Sequence, residues 1–101
     1  VKDPKRRAQI CSEIVCLLSE ERKRRNLSKN KVASLCGLNQ STISRLENYP
    51  DNPTLDSLLR ISEVLEINLG DLLAEAIEHV DKEKLHFSSS AVSHKIRQQP
   101  T

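Results

Sequence analysis

Apolar residues recur along this chain at helical rather than alternating spacing. Ile10, Ile14, Leu17 and Leu18 follow at intervals of four, three and one, with Cys11 and Val15 on the adjoining strip. Such intervals stack side chains on one face, so a first helix is predicted from Asp3-Pro4 to about Arg25. Asp3 suits the N-cap and Pro4 the first helical position, where a missing N–H is harmless. Arg22-Lys23-Arg24-Arg25 complement the negative end of that helix, and Asn26 supplies a left-handed exit. Val32, Ala33 and Leu35 predict a short second helix from Lys29 to Cys36, capped by Ser28, with Val32 and Leu35 facing inward. Gly37-Leu38-Asn39 forms the next turn: Gly37 accepts a positive φ, Leu38 anchors and Asn39 caps. Ile43 and Leu46, three apart, then mark the buried side of a third helix.

Pro50 and Pro53 enforce a loop over residues 48–54, because a residue before proline avoids the α region. Thr54 caps a fourth helix with Leu55, Leu58, Leu59, Ile61 and Leu65 as its apolar stripe. Ile67 is a staple and Asn68 a cap for a fifth helix starting near Leu69, with Leu72, Leu73, Ala76, Ile77 and Val80 inward. The expected fold is therefore all-α, a compact five-helix bundle. Residues 1–7 form a basic segment opening the first helix, residues 8–83 the domain, and residues 84–101 a flexible tail in which Leu85, Phe87, Val92 and Ile96 are the apolar exceptions.

A chain of 101 residues holds one small core, not two. With one Tyr, one Phe and no Trp, that core is aliphatic, which suits helices better than a sandwich. No apolar run approaches the ~20 residues of a membrane span, and the charged start lacks a signal-type apolar region, so a soluble, cytoplasmic protein is expected. Cys11, Cys16 and Cys36 have neither disulfide-framework nor metal-ligand spacing and read as buried free thiols. No cofactor or metal is expected. Nor is catalysis: His79, His86 and His94 lack nucleophile partners, and two glycines cannot build a phosphate loop.

Charge changes the picture more than composition does. Residues 1–31 hold ten Lys or Arg against four acids, a net +6, whereas residues 32–83 hold three against ten, a net −7. One part of the molecule can face a polyanion while another turns away from it. The third helix, with Gln40, Ser41, Ser44 and Arg45 outward, offers donors and acceptors suited to base edges.

Leu27-Ser28, Val32-Ala33, the run from Gly37 to Asn48, Asn52-Pro53-Thr54-Leu55, Leu58 to Ser62 and Leu65 to Leu73 together resemble the Cro/lambda-repressor type of helix-turn-helix proteins, the xenobiotic-response-element family. The resemblance covers roughly residues 8–78. It implies a five-helix domain whose third helix enters the DNA major groove, acting as a homodimer on a palindromic operator of double-stranded DNA. It also implies site residues. Gln40 and Ser41 match base-contacting positions, with Ser44 and Arg45 one turn on. Ser28, Lys29, Asn39, Thr42 and Asn48 match phosphate-facing positions, Lys29 combining a cation with a positive helix end. Arg22 and Glu47 match a salt bridge tying the first helix to the third.

The chain also departs from the family pattern. Lys29 stands where glutamine is common, and Tyr49-Pro50-Asp51-Asn52 replaces a loop that often carries cations. Glu66 replaces a frequent helix-ending glycine, which predicts a slightly strained or differently closed turn. The dimer surface is expected on the fifth helix and the segment from Ile77 to Phe87. The alternative function is a protein-interaction module on the same fold, antitoxin or coactivator-like, supported by the acidic stretch 32–83.

Overall fold

The computed structural model describes residues 4–50 and 52–88, with side chains described to Glu83. Five helices follow in order: α1 (Pro4–Arg24), α2 (Lys29–Cys36), α3 (Gln40–Asn48), α4 (Leu55–Val64) and α5 (Leu69–Ser88). Helical backbone thus continues past Lys84 as far as Ser88, and the rest of the expected tail, 89–101, lies outside the described residues.

Three of the helices close by the same device. At Asn26, Gly37 and Glu66 the backbone turns left-handed, with φ of 58°, 77° and 56°. The N–H of the following residue then reaches back five positions: Leu27 to the Arg22 carbonyl at 3.0 Å, Leu38 to Ala33 at 3.0 Å, and Ile67 to Ser62 at 2.9 Å. Each bond satisfies a carbonyl the helix leaves open, and each following apolar side chain packs on the core. The next residue is a cap. Ser28 Oγ accepts from the Lys31 N–H at 3.0 Å, and Asn68 Oδ1 from that of Asp71 at 2.9 Å. Asn39 has the extended backbone of a cap, but its side chain accepts from the Thr42 hydroxyl at 3.3 Å instead of from a main-chain N–H. A short hydroxyl at Thr42 supplies a competing donor there.

The core joins Ile10, Ile14, Val15 and Leu18 of α1 to Val32, Ala33 and Cys36 of α2, Ile43 of α3, Leu58, Ile61 and Leu65 around α4, and Leu72, Ala76 and Val80 of α5. α1 packs most extensively on α5, and α2 sits between α3 and α4. An ion pair and a hydrogen bond brace the first contact: Arg6 donates to both carboxylate oxygens of Asp81 at 2.9 and 3.0 Å, and His79 Nδ1 lies 2.9 Å from Glu13 Oε2.

Several inward assignments are corrected. Leu35, Leu55, Leu59 and Leu73 are exposed, because their helices bury narrower stripes than the run of leucines suggests. Of the cysteines only Cys36 is buried. Cys11 is half-buried and Cys16 exposed, since α1 is covered on one side by α5 and on another by α3 and leaves the Cys16 flank open. Ile77 packs against the core and Val80 is buried, as their inward assignment expects, which takes them out of the surface expected for dimerisation.

Candidate nucleic-acid interface

At 100° per residue, Gln40, Ser44, Asn48, Ser41 and Arg45 fall within an arc of about 140° on α3. Gln40, Ser41, Arg45 and Asn48 are exposed and Ser44 is half-buried. The opposite side carries Ile43, which is 1% exposed, with Leu46, Thr42 and Glu47 half-buried beside it. Gln40 Nε2 lies 3.5 Å from Ser44 Oγ, at the outer limit of a hydrogen bond, so the amide stays available to a stronger partner.

What presents this helix is a buried ion pair. Arg22 donates from Nε to Glu47 Oε2 at 3.0 Å and from Nη2 to Oε1 at 3.2 Å, while Nη1 reaches the Leu27 carbonyl at 2.8 Å. The planar fork is therefore fully engaged, joining α1, the turn into α2 and the last turn of α3. A second arginine holds the other end of the turn. Arg60 on α4 donates to the Cys36 carbonyl at 2.9 Å and to Asp56 at 2.8 Å. Its Nη1 lies where a side chain on Gly37 would come within 3.0 Å, so two constraints, space and positive φ, select glycine at that position.

Two of the five expected backbone contacts, Lys29 and Asn48, face one space. They line an open groove of about 490 Å³ between α1 and the ends of α2 and α3, together with Ser12, Cys16, Lys23 and Glu47. Ser28 stands at the start of α2 as its cap, with Asn39 and Thr42 bonded to each other at the start of α3. Lys23 was not among the expected contacts. Its signal lay in the helix phase, since Ser12, Cys16, Ser19 and Lys23 recur at four, three and four and so share one flank of α1.

The electrostatics around α1 correct a simple reading of the +6 on residues 1–31. Glu21 accepts from both Arg24 and Arg25, and these bonds hold its carboxyl down at about 2. Arg22 is spent on Glu47, and Arg6 on Asp81. Much of the basic run is thus locally neutralised. In the groove, burial and the hydrogen bond to Glu20 push the Cys16 thiol up, with Lys23 pulling the other way.

A helix-turn-helix family model matches residues 18–72, more than half of the chain, from the middle of α1 into α5. No curated protein and no solved structure matches it. No helix among the described residues is long and apolar enough to cross a membrane. The matched span holds the α2–α3 turn, the exposed face of α3 and the Arg22–Glu47 pair that presents it, and by that span the chain belongs to the Cro/C1-type helix-turn-helix family of DNA-binding regulators.

Proposed function

We propose that the protein regulates transcription by occupying a specific site on double-stranded DNA, with α3 lying in the major groove. The observation that carries this reading is the exposed arc of α3, a set of hydrogen-bonding side chains on a helix fixed from behind by Ile43 and Arg22. Gln40 suits bidentate pairing with adenine and Arg45 with guanine, with Ser41 and Ser44 reading beside them. Lys29 and Asn48, in the groove, with Ser28, Asn39 and Thr42 at the helix starts, hold the phosphates that set register. A homodimer on a palindromic operator, its half-sites one helical turn or about 34 Å apart, completes the proposal. The exposed leucines support an association surface, and they direct it toward α4 and Leu73 more than toward Ile77.

The test is selection of bound duplexes from a random pool, followed by Gln40→Ala. Truncating a bidentate reader lowers affinity for the selected site by about 1–3 kcal/mol and leaves random DNA nearly unchanged. Equal losses on both would remove direct readout at Gln40. A protein-interaction module is favoured by one observation, the acidic excess of residues 32–83. It predicts no salt-dependent duplex binding, whereas a DNA binder loses affinity as log salt rises.

A further inference from the structure

We propose that the groove between α1 and the ends of α2 and α3 seats a backbone phosphate on Lys23, so that α1 touches DNA through this lysine and not through its neighbouring arginines. The inference rests on the DNA-binding reading and adds to it a residue and a face. Four consecutive cations run from the last turn of α1 into the turn after it, and the backbone aims them in different directions. Arg22 points into the protein, where Glu47 and the Leu27 carbonyl take all three of its nitrogens. Arg24 and Arg25 converge on Glu21. Lys23 alone of the four lines the groove with no ion pair among the described residues, across from Lys29 and Asn48.

The chemistry of the groove suits an anion bridged by several donors. Lysine carries a compact charge on a flexible stem, which spans an open groove better than a fixed fork does. Lys29 adds a second ammonium at the positive end of α2, and the Asn48 amide adds a neutral donor at the end of α3. Two carboxylates share the space: Glu47 is neutralised by Arg22, while Glu20, which accepts from the Cys16 thiol at 3.5 Å, keeps its charge, so with the two lysines the lining carries a net +1.

The experiment measures duplex affinity of the full chain by fluorescence anisotropy between 50 and 200 mM salt, on random-sequence DNA and on the selected site. Lys23→Gln should flatten the slope of log affinity against log salt by about 0.9 per subunit on both duplexes, equivalent to about fivefold weaker binding at 0.15 M. Lys23→Arg should restore the slope. Arg24→Gln removes the same formal charge one residue away and should leave the slope as it is, because Arg24 is held on Glu21 and not on a phosphate. The urea midpoint of Lys23→Gln should match that of the parent, which a structural role would not allow. Equal flattening by Lys23→Gln and Arg24→Gln would overturn the proposal in favour of net charge alone. So would an unchanged slope for Lys23→Gln alongside a flattened one for Lys29→Gln, which would leave the DNA-binding reading intact. A parent chain with no salt-dependent binding would overturn both.

Discussion

Replacing Glu47 by alanine probes the link between stability and presentation of α3. The side chains of Arg22 and Glu47 are 10% and 15% exposed, and Glu47 takes two of the three guanidinium nitrogens. After Glu47→Ala the guanidinium keeps only the Leu27 carbonyl and remains beneath Leu18, Val32 and Ile43. Breaking a buried pair from one side costs about 3–5 kcal/mol, and the residual exposure places this one near about 3. Against a typical domain stability of about 5–15 kcal/mol this is a large fraction, and it corresponds to roughly 12–24 °C in Tm. Urea unfolding followed by helical circular dichroism measures it, with an unchanged m-value showing that the end states are the same.

The double variant Arg22→Met with Glu47→Leu separates the cost of an orphaned charge from the net worth of the pair. Burial of two apolar side chains of similar volume should bring stability back to within about 1 kcal/mol of the parent. A Glu47→Ala loss below about 1 kcal/mol would place the pair in the range of exposed salt bridges and refute the reasoning. A double variant no better than Glu47→Ala would refute it differently, by showing that the charge pair itself carries the stability.

Other consequences follow from single residues. Glu66 holds φ of 56° without the freedom of glycine, so Glu66→Gly should raise the free energy of urea unfolding by about 0.5–1 kcal/mol, while Gly37→Ala should lower stability by at least about 1 kcal/mol through positive φ and the nearby Arg60. The hydrogen bond to Glu13 raises the His79 pKa, so its stabilisation is complete below the ordinary value of 6.5 and is lost as pH rises through the higher folded value. An NMR titration should show the raised His79 value falling back in Glu13→Gln. Glu21 behaves oppositely: lowered from 4.5 to about 2 by Arg24 and Arg25, it stabilises above 4.5 and loses that contribution as pH falls toward 2. Urea midpoints of Glu21→Gln should show a weaker acid dependence over that window.

The number of helices, their order and nearly all their boundaries were legible in the residues. Periodic leucines and isoleucines mark the faces, and Ser28, Thr54 and Asn68 mark starts that the backbone then uses. The triplets Asn26-Leu27-Ser28, Gly37-Leu38-Asn39 and Glu66-Ile67-Asn68 carry the closures in their own chemistry, since a left-handed residue, an apolar anchor and a cap are local requirements. The outward arc of α3 follows from helix phase in the same way. Leu35, Leu55, Leu59 and Leu73 were misread because phase gives a direction but not the width of the neighbour covering it. Only packing tells a leucine at the edge of a stripe from one at its centre.

Charge shows the same division. Counting placed +6 on residues 1–31, and the Glu21 pairs with Arg24 and Arg25, three and four apart, lay within reach of helix geometry. The Arg22–Glu47 fork, the Arg60 bond to the Cys36 carbonyl and the groove that joins Lys23 to Lys29 and Asn48 were decided by the tertiary structure. Sequence by itself determined which segments coil, where they stop and which side chains one helix shows, because those depend on neighbours within about one turn. Which cations remain open to a polyanion depends on side chains 24 or 25 positions away being brought within 3 Å, and only the packing of one helix on another does that.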